Sequence, residues 1–281
     1  MRLLVLGGDG MLGHELYREL RDHHETGVTL RQQRKEFSRD HVFAGVDVRG
    51  GARIEEVIAQ FRPAAVVNCI GIVKQRPESE QAITSIEVNS LLPHRLALAC
   101  RAAGAHLVQL STDCVFSGER GNYREEDRPD PVDVYGRSKL LGEVTGEGAL
   151  TLRTSMIGLG LYRKTSLVDW FLAQKGSVRG YRKAIFSGLT TRELSRVIRM
   201  VLEKHPQASG LYHLSAAPID KYSLLVKLRE RLGKSVDIAP VDEPRIDRSL
   251  DSTRFRRVFG YTPPGWDAML DELAVETRKA A

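Results

Sequence analysis

Leu3-Leu4-Val5-Leu6-Gly7-Gly8-Asp9-Gly10-Met11-Leu12-Gly13 is the stretch whose reading decides the fold. The continuous apolar run Leu3–Leu6 is the signature of a strand buried on both faces. A helical pattern begins at Met11 and runs to about Leu20. Glycines between such a strand and helix allow a tight turn and close backbone approach, and the free N–H groups of the helix start bind a pyrophosphate. Gly7, Gly10 and Gly13 have GxxGxxG spacing rather than GxGxxG, and starting the register at Gly8 does not repair it. An ordinary glycine turn has the same composition. The position between a strand and a helix favours a dinucleotide site, with Gly7, Gly10, Met11, Leu12 and Gly13 as cofactor contacts.

The alternation continues outward from this stretch. Val28–Leu30 and Val42–Val48 read as strands, Ile54–Phe61 as a helix closed by Pro63, and Ala64–Cys69 as a buried strand. Ile83–Ala103 reads as one long helix, His106–Leu110 as a strand, Tyr135–Glu147 as a helix and Ala149–Arg153 as a further strand. Repeated strand–helix order predicts an α/β fold, a Rossmann-type doubly wound parallel sheet covered by helices. The predicted division is a cofactor domain over 1–155 and a smaller, mainly substrate-binding α/β region over 156–281, some of whose segments return to the first domain. In that second part Leu167–Gln174, Thr190–Lys204, Ile219–Arg231 and Trp266–Thr277 read as helices and Gly210–Leu214 as a short strand, while Gly233–Arg248 reads as loops.

Composition narrows the function. Forty-two basic against 36 acidic residues leave a net charge of +6. Basic residues bunch at Arg31–Lys35, Arg179–Lys183 and Arg254–Arg257, which suits phosphate-bearing small ligands. With 6% aromatic residues there are few stacking platforms, and nucleic acid is not the expected partner. The three cysteines, Cys69, Cys100 and Cys114, lack CxxC pairing, and the eight histidines are scattered, so no metal site is expected. Reduced thiols, a glycine-rich N-terminal segment unlike a signal peptide, and no apolar run of roughly 18 residues predict a cytoplasmic protein without a membrane span.

Two further patterns carry chemistry. The end of the second strand chooses the adenosine ribose partner, a carboxylate for a 2′-hydroxyl and an arginine for a 2′-phosphate. Here Arg31 and Arg34 precede any acid, which favours NADP over NAD, although a solvated basic loop has the same composition. Asp47-Val48 is placed to meet the adenine region, or simply to end a strand. The second pattern is YGRSKLLGE, in which Tyr135 and Lys139 share a helix face. A phenol titrates at about 10 when free, and a neighbouring cation favours the phenolate, so the pair suits proton transfer to or from a carbonyl oxygen.

Assembled, these residues resemble an extended short-chain dehydrogenase/reductase, in the nucleotide-sugar branch that includes dTDP-4-dehydrorhamnose reductase. The resemblance rests on GGDGMLG at Gly7–Gly13, LSTDCVFSG at Leu110–Gly118, YGRSKLLGE at Tyr135–Glu143 and LRTSMIG at Leu152–Gly158. It continues more weakly through Leu250–Tyr261 and Trp266–Leu273. It implies NADPH-dependent reduction of a keto-deoxysugar carried on a nucleotide diphosphate. Tyr135 is then the general acid, Lys139 binds the nicotinamide ribose and lowers the tyrosine pKa, and Thr112 hydrogen-bonds the reacting oxygen. Cys69-Ile70-Gly71 lies along the cofactor, Asn89 lies on the helix beneath the site, and Thr154 borders the nicotinamide.

Two departures bear on the substrate. Cys114 stands where the reductase pattern has tyrosine, and Gly71–Gln75 replaces an aspartate-rich loop, making Lys74 and Arg76 candidate contacts to a diphosphate or an acidic or acetamido sugar. Cys114, Val115 and Phe116 are further candidate substrate contacts. Cys114 alternatively fills core space, and Trp170, with Leu167 and Phe171, alternatively forms a packing face. Arg179, Arg182 and Lys183 are weaker diphosphate candidates. An epimerase, or a non-catalytic cofactor-binding regulatory or scaffold protein, remains the alternative reading, and a homodimer is left open.

Overall fold

In the computed structural model, which describes residues 1–37, 41–50, 52–73, 81–162 and 164–280, the chain winds around one large parallel sheet. In chain order the elements are β1 (Arg2–Leu6), α1 (Met11–Arg21), β2 (Glu25–Thr29), β3 (Val42–Phe43), α2 (Ala52–Phe61), β4 (Ala65–Asn68), α3 (Ala82–Ser85), α4 (Leu92–Ala102), β5 (His106–Thr112), α5 (Val134–Leu141) and β6 (Ala149–Thr154). Then come β7 (Met156–Ile157), α6 (Leu167–Ala173), β8 (Ser177–Tyr181), β9 (Ala184–Phe186), β10 (Leu189–Thr190), α7 (Thr191–Lys204), β11 (Gly210–His213), β12 (Ile219–Asp220), α8 (Lys221–Leu232), β13 (Asp237–Val241), β14 (Ile246–Asp247), α9 (Thr253–Phe259) and α10 (Trp266–Ala280).

The main sheet has the order β11-β6-β5-β4-β1-β2-β3, every pair parallel. The winding reverses between β1 and β4, and ligands of open α/β sheets bind outside the carboxyl ends of strands at such a reversal. Period-two alternation explains the apolar run in β1. Leu3 and Val5 join Leu12, Leu16 and Val197 in the core under α1 and α7, while Leu4 and Leu6 join Ile54, Ile58 and Leu96 under α2 and α4. Both faces are covered from Leu3 to Leu6, which is why that run is apolar, and the polar Arg2 sits at the exposed start of the strand.

At the β1–α1 turn Gly7 has φ +79°, and a Cβ at Gly13 would lie 2.1 Å from the Gly7 carbonyl oxygen. Gly13 therefore serves close packing of helix on strand rather than ligand contact, a correction to its placement among the cofactor residues.

Several boundaries differ from the sequence reading for local reasons. The third strand ends at Phe43 because Gly45, at φ +74°, turns the chain. The long helix over 83–103 is interrupted by a π-helical stretch, Ile86–Leu91. Pro93 lacks the N–H that would reach the Asn89 carbonyl, and its ring crowds that oxygen, which favours the wider turn. α5 stops at Leu141, not near 147; a Cβ at Gly142 would sit 1.9 Å from the Asn89 carbonyl oxygen, so chain and helix end meet there backbone to backbone.

The second part of the chain is more regular than expected. β13, read from sequence as loop, pairs in parallel with β8, and β9 lies between β12 and β14. Pro240 is tolerated because β13 belongs to a two-stranded sheet and leaves one edge free. β11, from the same half of the chain, returns to the main sheet beside β6, and α7 packs on α1. Among the described residues no helix is long and apolar enough to cross a membrane. Gly13→Ala is expected to destabilise the fold by about 1–3 kcal/mol through overpacking, measured by urea denaturation; an unchanged midpoint would refute the backbone contact.

Candidate functional site

Two adjoining chambers open along the carboxyl ends of β1, β4 and β5. They share Asp9, Gly10 and Cys69-Ile70-Gly71-Ile72. The first, about 270 Å³, reaches Thr29, Arg31, Asp47, Val48 and Arg49. The second, about 310 Å³, reaches Met11, Leu12, Thr112, Cys114, Tyr135, Lys139, Thr154, Met156 and Leu161. The start of α1 stands between them. Its cap, Gly10, is extended and makes no side-chain hydrogen bond to the first turn, leaving helix N–H groups for an anion. An added Cβ at Gly10 would sit 3.2 Å from the Gly7 carbonyl oxygen and 3.9 Å from that of Cys69, so the cradle is open because this residue is glycine. A dinucleotide fits this arrangement: pyrophosphate at the helix start and one nucleoside in each chamber.

In the first chamber Arg49 grips Asp47 with paired hydrogen bonds of 3.0 Å from Nε and 2.5 Å from a terminal nitrogen, and its backbone N–H donates to the same carboxylate at 3.1 Å. These bonds hold the Asp47 carboxyl down to about 2. Arg49 was not singled out in the sequence, although an arginine two residues after an aspartate is the signal for such a local pair. Arg31 lines this chamber, but Arg34 does not. The Arg34 guanidinium stacks 4.3 Å from the centroid of the Tyr162 ring, whose hydroxyl donates to Glu36. The attraction of a cation for an aromatic face draws Arg34 away from the adenosine wall.

In the second chamber Thr112 ends β5. Its hydroxyl oxygen accepts from the Cys114 backbone N–H at 3.1 Å and its hydroxyl donates to Asp113 Oδ1 at 3.1 Å. It also hydrogen-bonds Tyr135, whose helix is started by Asp133 accepting from the Gly136 N–H at 2.8 Å. Burial pushes the Tyr135 phenol up, the Cys114 and Asp113 charges add to this, and the Thr112 hydrogen bond opposes it. Lys139 is not among the groups that move the phenol. Lys139 Nζ instead donates to the Leu110 carbonyl at 2.5 Å, and burial pushes its pKa down to about 8 while Glu143 opposes the shift. Asp113, buried and raised by desolvation despite the Arg248 charge, was passed over in the sequence as part of a motif. Thr154 is buried on the chamber wall and donates to the Ser155 carbonyl at 3.2 Å.

Other candidates lie elsewhere. Val115 and Phe116 are fully buried in a small cluster with Tyr123 and Leu250, the Phe116 ring stacked 4.1 Å from Tyr123, so neither meets a substrate. Trp170 is 41% exposed on α6 and outside both chambers, whereas Leu167 lines the second and Phe171 is core. Asn89 is buried behind the chamber. It accepts from the Ile72 N–H at 2.9 Å and donates to the Ile72 carbonyl and the Ser138 hydroxyl, both at 3.1 Å. It ties the cofactor-side loop to the α5 helix and does not contact the cofactor space. Arg179, Arg182 and Lys183 are in or between β8 and β9 and line neither chamber. Lys74 and Arg76 lie outside the described residues. Gly160, Leu161, Thr165 and Ser166 supply chamber wall from outside any helix or strand, which no sequence periodicity announces. No group of three or more metal-ligating side chains is found among the described residues.

Residues 1–278 match the family described as RmlD substrate binding domain, and the chain belongs to that family. A dTDP-4-dehydrorhamnose reductase from Streptomyces griseus is 43% identical over 144 residues, covering 50% of this chain and 43% of that protein. The chain thus spans less than half the length of that curated relative. Methionine adenosyltransferase 2 subunit beta from Xenopus tropicalis is 26% identical over 291 residues, covering 96% of this chain and 80% of that one. The solved dTDP-4-dehydrorhamnose reductase from Bacillus anthracis in complex with NADP superposes with a TM-score of 0.82 at 21% identity, over 98% of this chain and 99% of that one. This last likeness establishes the Rossmann-type fold.

Asn89→Ala removes three hydrogen bonds of a buried amide and is expected to cost about 1–3 kcal/mol and to weaken dinucleotide binding through the Ile72 loop. Urea denaturation and NADPH fluorescence titration measure the two effects, and unchanged values in both would refute the tie.

Proposed function

We propose that the chain is an NADPH-dependent reductase of a nucleotide-linked 4-keto-6-deoxysugar. The observation that carries this reading is the convergence of Thr112, Tyr135 and Lys139 on one chamber wall, next to the start of α1. When bound, the nicotinamide supplies the hydride to the ketone carbon. Everything else falls to the chain. The Thr112 hydroxyl orients the ketone oxygen, and Tyr135 passes its phenolic proton to that oxygen as negative charge develops there. The phenol carries its proton at neutral pH and can give it up. Burial alone makes it a weaker acid, and in this reading the ammonium of Lys139 offsets that by stabilising the phenolate left behind. Arg31 on the adenosine wall supports a 2′-phosphate and hence NADP over NAD.

The match to dTDP-4-dehydrorhamnose reductases supports this substrate class, and Cys114, Met156 and Leu161 give the substrate end an apolar wall suited to a deoxysugar. A second reading, a cofactor-binding subunit of another enzyme, is favoured by the near-full-length match to methionine adenosyltransferase 2 subunit beta. The epimerase reading differs in regenerating its cofactor.

Assay of NADPH oxidation with dTDP- and UDP-linked 4-keto-6-deoxysugars separates the three. Turnover with stoichiometric NADPH loss supports the reductase, isomerised sugar without net loss supports an epimerase, and tight NADPH binding with no conversion across the panel supports the subunit. Tyr135→Phe is expected to bind NADPH as the parent does and to lose about 10²–10⁴ of kcat; a normal rate would remove Tyr135 from the proton step. Arg31→Ala is expected to weaken NADPH binding about tenfold or more and leave NADH nearly unchanged, read by fluorescence titration of both.

A further inference from the structure

Gly160, Leu161, Thr165, Ser166 and Leu167, which line the second chamber together with Thr112, Tyr135 and Lys139, come from the chain between β7 and the first residue of α6. The first four lie outside any helix or strand, so no regular ladder of backbone hydrogen bonds fixes them.

Their anchor is Asp169, in the first turn of α6, whose side chain is 2% exposed. Asp169 Oδ2 accepts from the Gly160 N–H at 2.9 Å and from the Ser166 hydroxyl at 2.7 Å. The Ser166 oxygen in turn accepts from the Asp169 N–H at 3.0 Å. Lys164 Nζ donates to the Gly160 carbonyl at 3.1 Å and lies 3.7 Å from Asp169 Oδ1. Gly160 and Ser166 thus meet at one oxygen atom. The helix that carries this oxygen is itself held, because Val168 and Phe171 are fully buried in the main core.

Helix capping accounts for part of this arrangement. Ser166 caps α6, and in a reciprocal cap the acidic or amide side chain three residues on returns to the backbone N–H of the capping residue. Asp169 departs from that pattern by taking the Ser166 hydroxyl and the Gly160 N–H instead. It is also buried, and a buried carboxyl is costly unless its oxygens are paired. The bond to Gly160 adds nothing to the helix. What it fixes is one side of the chamber.

We propose that Asp169 is the positioning residue of that side: through Oδ2 it seats Gly160, Leu161, Thr165 and Ser166 where a bound sugar nucleotide meets them. The proposal rests on the reductase reading for the identity of this ligand. It adds the group that keeps the substrate side in place while Thr112, Tyr135 and Lys139 carry the chemistry. Leu161 supplies apolar surface and Thr165 a hydroxyl, a mixture that suits a deoxysugar. Contacts of this kind are made alike before and during hydride transfer, so their loss falls on KM rather than on kcat.

The test compares Asp169→Ala with Asp169→Asn. The asparagine amide oxygen can stand where Oδ2 stands and accept both bonds, whereas alanine leaves the Gly160 N–H and the Ser166 hydroxyl without that acceptor. In Asp169→Ala, exchange of the Gly160 amide hydrogen, followed by NMR in ligand-free protein, is expected to be about tenfold faster or more. KM for the reacting keto sugar nucleotide is expected to rise about tenfold, with kcat within about threefold of the parent. Asp169→Asn is expected to restore both parent values.

Parent exchange at Gly160 in Asp169→Ala would overturn the proposal. Faster exchange with an unchanged KM would overturn it too, leaving Asp169 a structural tie, and so would an asparagine variant that behaves as the alanine one. If Asp169→Ala does not fold, Ser166→Ala, which removes one of the two donors to Oδ2, decides in its place. Faster exchange with a raised KM there supports the proposal, and parent values overturn it. If no keto sugar is turned over, calorimetric binding of dTDP-glucose and UDP-glucose to the NADPH-loaded protein replaces KM. A loss of affinity of about tenfold in Asp169→Ala that Asp169→Asn restores would then remove the reductase reading and leave this one standing. Equal affinity in parent and Asp169→Ala, or no binding to the parent, would overturn this one.

Discussion

The first turn of α1 meets the end of β1 backbone to backbone, because residue 13 offers no Cβ to hold the Gly7 carbonyl away. This approach sets where the first helical turn stands, and with it where an anion can be bound. The turn lies beside the reversal of strand order, so β1, β4 and β5 deliver their carboxyl ends to the same cleft. The two chambers meet at Asp9, Gly10 and the 69–72 loop for this reason. A side chain at position 13 would push α1 off the Gly7 carbonyl.

A second backbone contact places the proton-handling helix. Pro93 removes a helical hydrogen-bond donor opposite Asn89, the helix widens, and the Asn89 carbonyl meets the chain at Gly142 where α5 ends. The Asn89 side chain then reaches both Ile72 and Ser138, and the Ser90 hydroxyl donates to the Ser138 carbonyl at 2.8 Å. Tyr135 and Lys139 are thereby held between the cofactor loop on one side and β5 on the other. Just past the end of α5, Glu143 is tied to Arg153 of β6 through two bonds of 2.8 Å, which fastens the chain there to the sheet.

Much of this was legible in linear order. A continuous apolar run suits a strand covered on both faces, so Leu3–Leu6 announced its setting, and the Tyr135–Lys139 spacing announced a shared helix face. Asp47 and Arg31 were picked out by their strand-end positions, and both line the first chamber. Val115 and Phe116 were misread because a motif names neighbours in sequence, and both turn into the cluster with Tyr123 and Leu250 while Cys114 beside them lines the chamber. Arg34 was misread because its partner, Tyr162, lies far along the chain. Asn89 carried a family association but not its actual bonds, which depend on a π-helical turn that no periodicity displays. The strands in 233–248 were hidden by proline, which a two-stranded edge accommodates.

The sequence by itself determined the class of fold, the phosphate-binding turn and the identity of the chemical groups, because these follow from local stereochemistry and from the period of apolar residues. Tertiary structure decided which of those groups share a chamber, which are core, and what charge state each holds. Burial acts through neighbours brought from distant strands. Lys139 is pressed toward neutrality by the packing around it while the Glu143 charge opposes that shift, and this balance exists only once α5 and β5 are assembled.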